Sequence, residues 1–116
     1  MEKEKPKGKA ICSGFLKKQS KYLGLWKTRF ILLSTNYLFA FTGVEKDADC
    51  TMALKINQIE FVKKADKENE KENTFLIKSL EPKNYYFHCY SENPTSERDK
   101  WIEHIQNQLN FIKKSN

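Results

Sequence analysis

Lys18, Lys27 and Arg29 are the residues of this 116-residue chain whose types and spacing best fit a binding chemistry. In the stretch Leu25 to Leu33, the side chains of Lys27, Arg29, Ile31 and Leu33 fall on one face of a strand, because successive strand residues point to opposite sides. Lys18 stands two residues beyond Leu16 on the strand before it. One face of a hairpin therefore begins apolar and ends in three positive charges at the loop. Ammonium and guanidinium groups converging on an open rim suit a phosphate anion, and Arg can bond two of its oxygens at once. Lys17 and Lys21 flank these three as auxiliary cations. Within the loop Gln19 to Gly24, the apolar pair Tyr22 and Leu23 lies between Lys21 and Gly24. The pair either folds back over the mouth of the sheet or enters a partner surface, such as an anionic bilayer with hydrocarbon beneath its headgroups.

No other chemistry is comparably supported. The two histidines, His88 and His104, have no Ser or Cys nucleophile motif beside them. The four glycines are scattered and make no phosphate-cradling loop. Cys12, Cys50 and Cys89 form an odd set without C-x-x-C spacing, unlike a disulfide framework or a zinc knuckle. We expect no enzyme activity, no cofactor, no metal, and a reducing cytoplasmic setting.

The elements that must position the cations read as seven strands and one helix. Ala10 to Lys18 and Leu25 to Leu33 are the first two strands, with turn residues at Ser34 to Asn36. Tyr37 to Thr42, Thr51 to Ile56 and Gln58 to Lys63 follow, the acidic loop Gly43 to Cys50 lying between the first two of these. Lys63 to Asn73 reads as a solvated, mobile connection with Ala65 its one core-forming residue. Thr74 to Ser79 and Tyr85 to Ser91 pair across Glu81 to Asn84. From Pro94 to Ile112, Trp101, Ile105, Leu109 and Ile112 recur at helical spacing, with Ile102 widening the stripe and Asn93 as N-cap. A strongly bent antiparallel sheet, a partly open barrel capped by the C-terminal helix, is the expected architecture.

A composition of 39% hydrophobic and 13% aromatic residues is enough for one core in one domain. Residues 1 to 30 hold nine Lys and Arg against two Glu, and the rest of the chain twelve against thirteen, so the net charge of +6 belongs to the start of the chain. Residues 1–9 read as a flexible basic arm and 10–113 as the domain. The apolar runs are too short to span a bilayer. The first ten residues have neither the apolar stretch of a secretory signal nor Gly at position 2.

Gly14, Leu16 and Lys18, then Trp26, Lys27, Arg29, Phe30 and Leu33, resemble the opening of a pleckstrin homology (PH) domain. Asp99 to Ile105 resembles the Trp-bearing helix that closes one. The resemblance covers about residues 9 to 113. It implies a non-enzymatic membrane-targeting or adaptor module, in which Lys18, Lys27 and Arg29 grip phosphoinositide or other acidic headgroups and Trp101 packs the core. Two departures imply modest selectivity: Ala40, where tight binders carry a Tyr hydroxyl, and Asp49, where some relatives place a basic residue. The alternative is a protein-interaction module on the same fold, using a groove between the helix and a sheet edge. Nucleic-acid binding by a small barrel ranks third, since Trp101 and the capped helix fit the PH pattern and the outer aromatics are not interleaved with Lys or Arg. The expected partners are acidic lipids or a protein, on a monomer peripherally attached to membranes.

Overall fold

Alternation in β1, Ala10–Gln19, and β2, Trp26–Ser34, sends Leu16, Ile31 and Leu33 inward to a core they enter almost completely. In the computed structural model, which describes residues 9–20, 24–69 and 71–115, these two strands form an antiparallel hairpin from Ala10 opposite Ser34 to Gln19 opposite Trp26. Five strands follow: β3 Tyr37–Phe41, β4 Cys50–Lys55, β5 Ile59–Lys64, β6 Thr74–Ser79 and β7 Asn84–His88. Every pairing is antiparallel, in the order β4-β3-β2-β1-β7-β6-β5. β1 thus joins two halves of one bent sheet that does not close, with β4 and β5 at its edges.

The expected strands recur with small shifts. A 3-10 turn, Ile56–Gln58, buries Ile56 and delays β5 by one residue. β7 ends at His88 and not at Ser91: of the next pair only the Cys89 amide to Asn73 carbonyl bond (2.9 Å) remains, because Asn73, at φ +57°, turns its own amide to the Asp66 carboxylate. At the β2–β3 turn the buried Ser34 hydroxyl accepts from the Tyr37 amide at 3.1 Å, the turn role expected of it.

The connection between β5 and β6 is more structured than its charge run implies. It contains a short helix, α1, Asp66–Asn69, preceded by buried Ala65. The Asp66 carboxylate accepts from the amides of Asn73 and Thr74, each at 2.9 Å, and pairs with the Arg98 guanidinium at 2.9 Å. A charge run reads as solvated only while its partner, 32 residues away, is out of view.

The second helix, α2, Pro94–Ser115, packs against β5, β6 and the 3-10 turn. Its buried stripe is Trp101, Ile105 and Leu109, with Ile102 and Ile112 partly buried beside it. Lys113 and Lys114 extend the helix one turn past Ile112, where cations suit the negative end of its dipole. The Trp101 ring lies over Gly14, so near that a Cβ there would meet it at 3.9 Å. Lower down, the Gln108 amide donates to the Thr35 carbonyl at 2.8 Å. α2 thus covers the end of the sheet marked by the β2–β3 turn and leaves the β1–β2 loop end open.

Trp101 is 5% exposed in this core. Trp101→Ala should cost about 3–5 kcal/mol, read as a large fall in Tm or loss of the folded state. An unchanged Tm would contradict the docking of α2.

Candidate functional site

Register decides what the open end presents. Lys18 lies directly opposite Lys27, and Leu16 opposite Arg29; one step further in, Gly14 faces Ile31. The inward face of the hairpin therefore turns from apolar to cationic between Ile31 and Arg29, at the rim left uncovered by α2. Lys27 is exposed, while Lys18 and Arg29 are half-buried. The Lys18 ammonium sits 5.5 Å from the centre of the Tyr85 ring, a cation–π contact that aims it inward from β7's side. The Arg29 guanidinium donates to the Thr28 carbonyl at 2.8 Å. Like charges directly opposite one another on a sheet repel, and an anion between Lys18 and Lys27 reverses that sign.

The structure thus places Lys18, Lys27 and Arg29 on one face. Lys17 lies on the opposite face of the hairpin. Lys21, Tyr22 and Leu23 lie outside the described residues. The flanks of their loop are fixed: the Ser20 amide donates to the Leu25 carbonyl at 2.6 Å, and Gly24 adopts φ +59°, a conformation that favours Gly. Ala40 is fully buried between Ile31 and Met52, and so belongs to the core below the cations. Asp49 is exposed, its amide accepted by the Thr42 hydroxyl at 3.0 Å, in a loop that also exposes Glu45 and Asp47.

The outer face of the same hairpin carries a second arrangement that reading along the chain missed. Lys17 is opposite His88 across β1 and β7, with its ammonium 5.5 Å from the Tyr90 ring centre. The rings of Trp26 and His88 meet edge to face at 6.1 Å, and the Lys71 ammonium lies 5.5 Å from the Trp26 ring centre. Outer aromatics and cations are interleaved after all. Lys71 is 45 positions from Trp26, so only the folded sheet brings them together. The His88 Nδ1 hydrogen is donated to the Glu72 carbonyl at 2.9 Å. Burial, helped by the Lys71 and Lys17 charges, holds the His88 imidazole below its ordinary value against that hydrogen bond.

Elsewhere the chemistry is plain. Cys12, Cys50 and Cys89 are free thiols, and burial pushes Cys12 up to about 11 and Cys89 higher still. Among the described residues no group of three or more His, Cys, Asp or Glu side chains could hold a metal. A depression of about 450 Å³ beside the first turns of α2 mixes Glu97 with Lys100 and His104, away from the hairpin cations. No helix among the described residues is long and apolar enough to cross a membrane.

With this geometry in place, comparison with known proteins is decisive on kinship. A family model described as PH domain matches residues 10–110. The chain belongs to the PH domain family. Its fold is similar to the C-terminal PH domain of human pleckstrin in solution, with 25% identity and TM-score 0.73 over 95% of this chain and 87% of that one. It is also similar to the C-terminal PH domain of pleckstrin in complex with D-myo-Ins(1,2,3,4,5)P5, at 26% identity and TM-score 0.69, over 85% and 97% of the two chains. The PH domain of Slm1, in complex with inositol-4-phosphate, aligns at 21% identity and TM-score 0.71, over 86% and 97%. The seven-stranded open sheet with one C-terminal helix is the PH fold of these neighbours.

In this PH domain the Asp66 clamp holds the segment that carries Lys71. The Asn73 carbonyl and side chain are further tied to the Cys89 amide at 2.9 Å and the Thr95 hydroxyl at 2.7 Å. Burial alone would push the Asp66 carboxyl up, but the Thr74 and Asn73 amides and Arg98 hold it below the ordinary carboxylate value. A lowered folded-state pKa means that its stabilising contribution is present above about pH 4 and disappears as pH falls through the lower, folded value. Removing one partner of a fully buried pair costs about 3–5 kcal/mol. Asp66 is 31% exposed and Asp99 still pairs with Arg98 at 2.9 Å, so Asp66→Ala should cost about 1–2 kcal/mol. Denaturant melts near neutral pH should show this loss, and the gap from wild type should narrow in acid.

Proposed function

We propose that this PH domain is a non-enzymatic module that binds phosphate-bearing headgroups of acidic membrane lipids, phosphoinositides first, through Lys18, Lys27 and Arg29. The observation that carries this reading is the pairing of Lys18 directly opposite Lys27, with Arg29 on the same face at the uncovered rim. Three cations on one face there favour a multiply charged anion, through charge-assisted hydrogen bonds that Arg makes two at a time. The complex of the pleckstrin C-terminal PH domain with an inositol pentakisphosphate supports it. Lys17 and Lys21 add charge around the hairpin. Residues 1–9 act as a basic arm ahead of the binding module, residues 10–113.

Each Lys or Arg near an anionic membrane contributes on the order of 1 kcal/mol, so Lys17, Lys18, Lys21, Lys27 and Arg29 together supply about 5 kcal/mol. That holds the domain only transiently. Tyr22 and Leu23, entering the interface from the basic loop, add the missing apolar contact. The exposed acids Glu45, Asp47 and Asp49 repel a phosphate on their side of the rim, so affinity follows headgroup charge more than phosphate position.

The protein-interaction reading also draws on a specific observation. On the outward side of β1, β2 and β3, where a solvated sheet face carries polar residues, stand Phe15, Phe30, Phe39 and Phe41. Phe15, 44% exposed, meets Phe30 at 5.3 Å, and Phe39 lies 5.8 Å from Phe41. An apolar partner surface would cover this face without touching Lys27 or Arg29.

Vesicle sedimentation separates the two. Lys27→Ala with Arg29→Ala removes no core atom, and should abolish binding to phosphoinositide vesicles at unchanged Tm. Wild-type binding should weaken as salt rises. A wild type that ignores every acidic vesicle, or a double variant that binds as well as wild type, would sink the headgroup reading. Tyr22→Ser with Leu23→Ser should weaken vesicle binding without lowering Tm. Lost stability with retained relative affinity would instead assign the pair to the core.

A further inference from the structure

β1 and β7 lie side by side for only two residue pairs, Lys17 opposite His88 and Lys18 opposite Phe87, before the chain leaves for α2. β1 runs on to Ala10. From Ala10 to Leu16 it has β2 on one side and, among the described residues, no strand on the other. A strand from the middle of the sheet thereby gains an open edge, a row of backbone donors and acceptors able to pair with another chain. The depression of about 450 Å³ lies along this edge: Cys12 and Ser13 of β1 form one wall, and Glu97, Lys100, Trp101 and His104 of α2 the other. Strand geometry gives an extended residue about 3.3 × 4.8 × 10 Å, so the space holds about three of them.

The walls say what would fill it. Glu97 Oε1 is buried and has no hydrogen-bond partner among the described residues, a cost that an incoming donor recovers. The Glu97 side chain lines the depression, and the last torsion of a glutamate is soft enough to turn that oxygen toward it. A neighbouring depression gathers Glu92, Asp99 and Glu103 around Lys100. Asp99 is held by Arg98 at 2.9 Å, which leaves Glu92, Glu97 and Glu103 against Lys100. In a chain of net charge +6 this region is acidic.

We propose that the open edge of β1 and the first three turns of α2 form a slot for an extended, basic peptide of a partner protein. The peptide adds a strand to β1 through main-chain hydrogen bonds, and one of its Lys or Arg side chains donates to Glu97. The acids outnumber Lys100 and favour a cation over an anion at the mouth of the slot. The slot lies away from Lys18, Lys27 and Arg29 and is independent of the headgroup reading. It also leaves the aromatic face of Phe39 and Phe41 uncovered.

The probe is a nine-residue threonine-rich peptide, acetylated and amidated, with lysine at its centre, titrated into the isotopically labelled chain and followed by amide chemical shifts. Saturable shifts should fall on Ala10 to Gly14 and Ser96 to His104, and stay small at Lys27 and Arg29. Glu97→Gln, checked by Tm, should weaken binding about tenfold, the loss of one charge-assisted hydrogen bond. A peptide with glutamate at its centre should bind more weakly still. Two further peptides carry N-methyl groups on alternate amides, one along each edge of the strand, and leave the protein unaltered. Methylation along the edge that meets β1 should abolish binding, and methylation along the other should preserve it. Lys27→Ala with Arg29→Ala should bind the peptide as wild type does, so failure of the headgroup reading would not touch this result. No saturable shift at millimolar peptide, equal binding of the glutamate peptide, equal tolerance of both methylation patterns, or shifts centred on Phe39 and Phe41 would each overturn the slot.

Discussion

The register of the first hairpin is the constraint on which the rest depends. With Lys18 opposite Lys27 and Leu16 opposite Arg29, the same alternation that sends Leu16, Ile31 and Leu33 into the core sends the cations to its rim. A slip of one residue in either strand would move that strand's set to the other face. It would bury charge where Leu16 now lies and leave the rim without its cluster. Core packing therefore positions the three cations. The stacked Phe75 and Phe87 rings, 5.1 Å apart and paired across β6 and β7, fill the core, and the Trp101 ring over Gly14 seats α2 against β1.

Two opposed faces of one hairpin carry different electrostatics. The inner cations sit over an apolar floor that begins at Ile31, where lower access to water makes each charge count for more. The outer cations lie on aromatic rings at the surface and share their space with a histidine. Asp66 joins α1 to α2 through Arg98, and through the Asn73 and Thr74 amides it orders the segment that brings Lys71 to Trp26. A clamp that resembles a mere stability element thereby shapes the outer surface.

Strand alternation and the helical stripe were legible in the sequence because both are periodic and local. The faces of Lys27 and Arg29, the buried Trp101, Ile105 and Leu109, and β6 to the residue could all be read that way. What escaped has a common physical cause, contact between residues far apart in sequence. The β5–β6 connection looked solvated because Asp66 finds its counterion in α2. The seventh strand looked longer because Asn73, its next partner just ahead of β6, turns its amide to Asp66. The outer aromatics looked free of cations because Lys71 reaches Trp26 only through the fold. Alternation puts Tyr85 on one face with Phe87 and Cys89, but its place beside Lys18 required the pairing of β1 with β7.

The most direct measurement is an amide chemical-shift map of the isotopically labelled chain, titrated with a soluble polyphosphorylated inositol at fixed salt and pH. The account predicts saturable shifts that are largest at Lys18, Lys27 and Arg29, and small at Phe39 and Phe41 on the outward face of β3. A map with no response at the hairpin rim, or one centred on the outward face of β3, would contradict it.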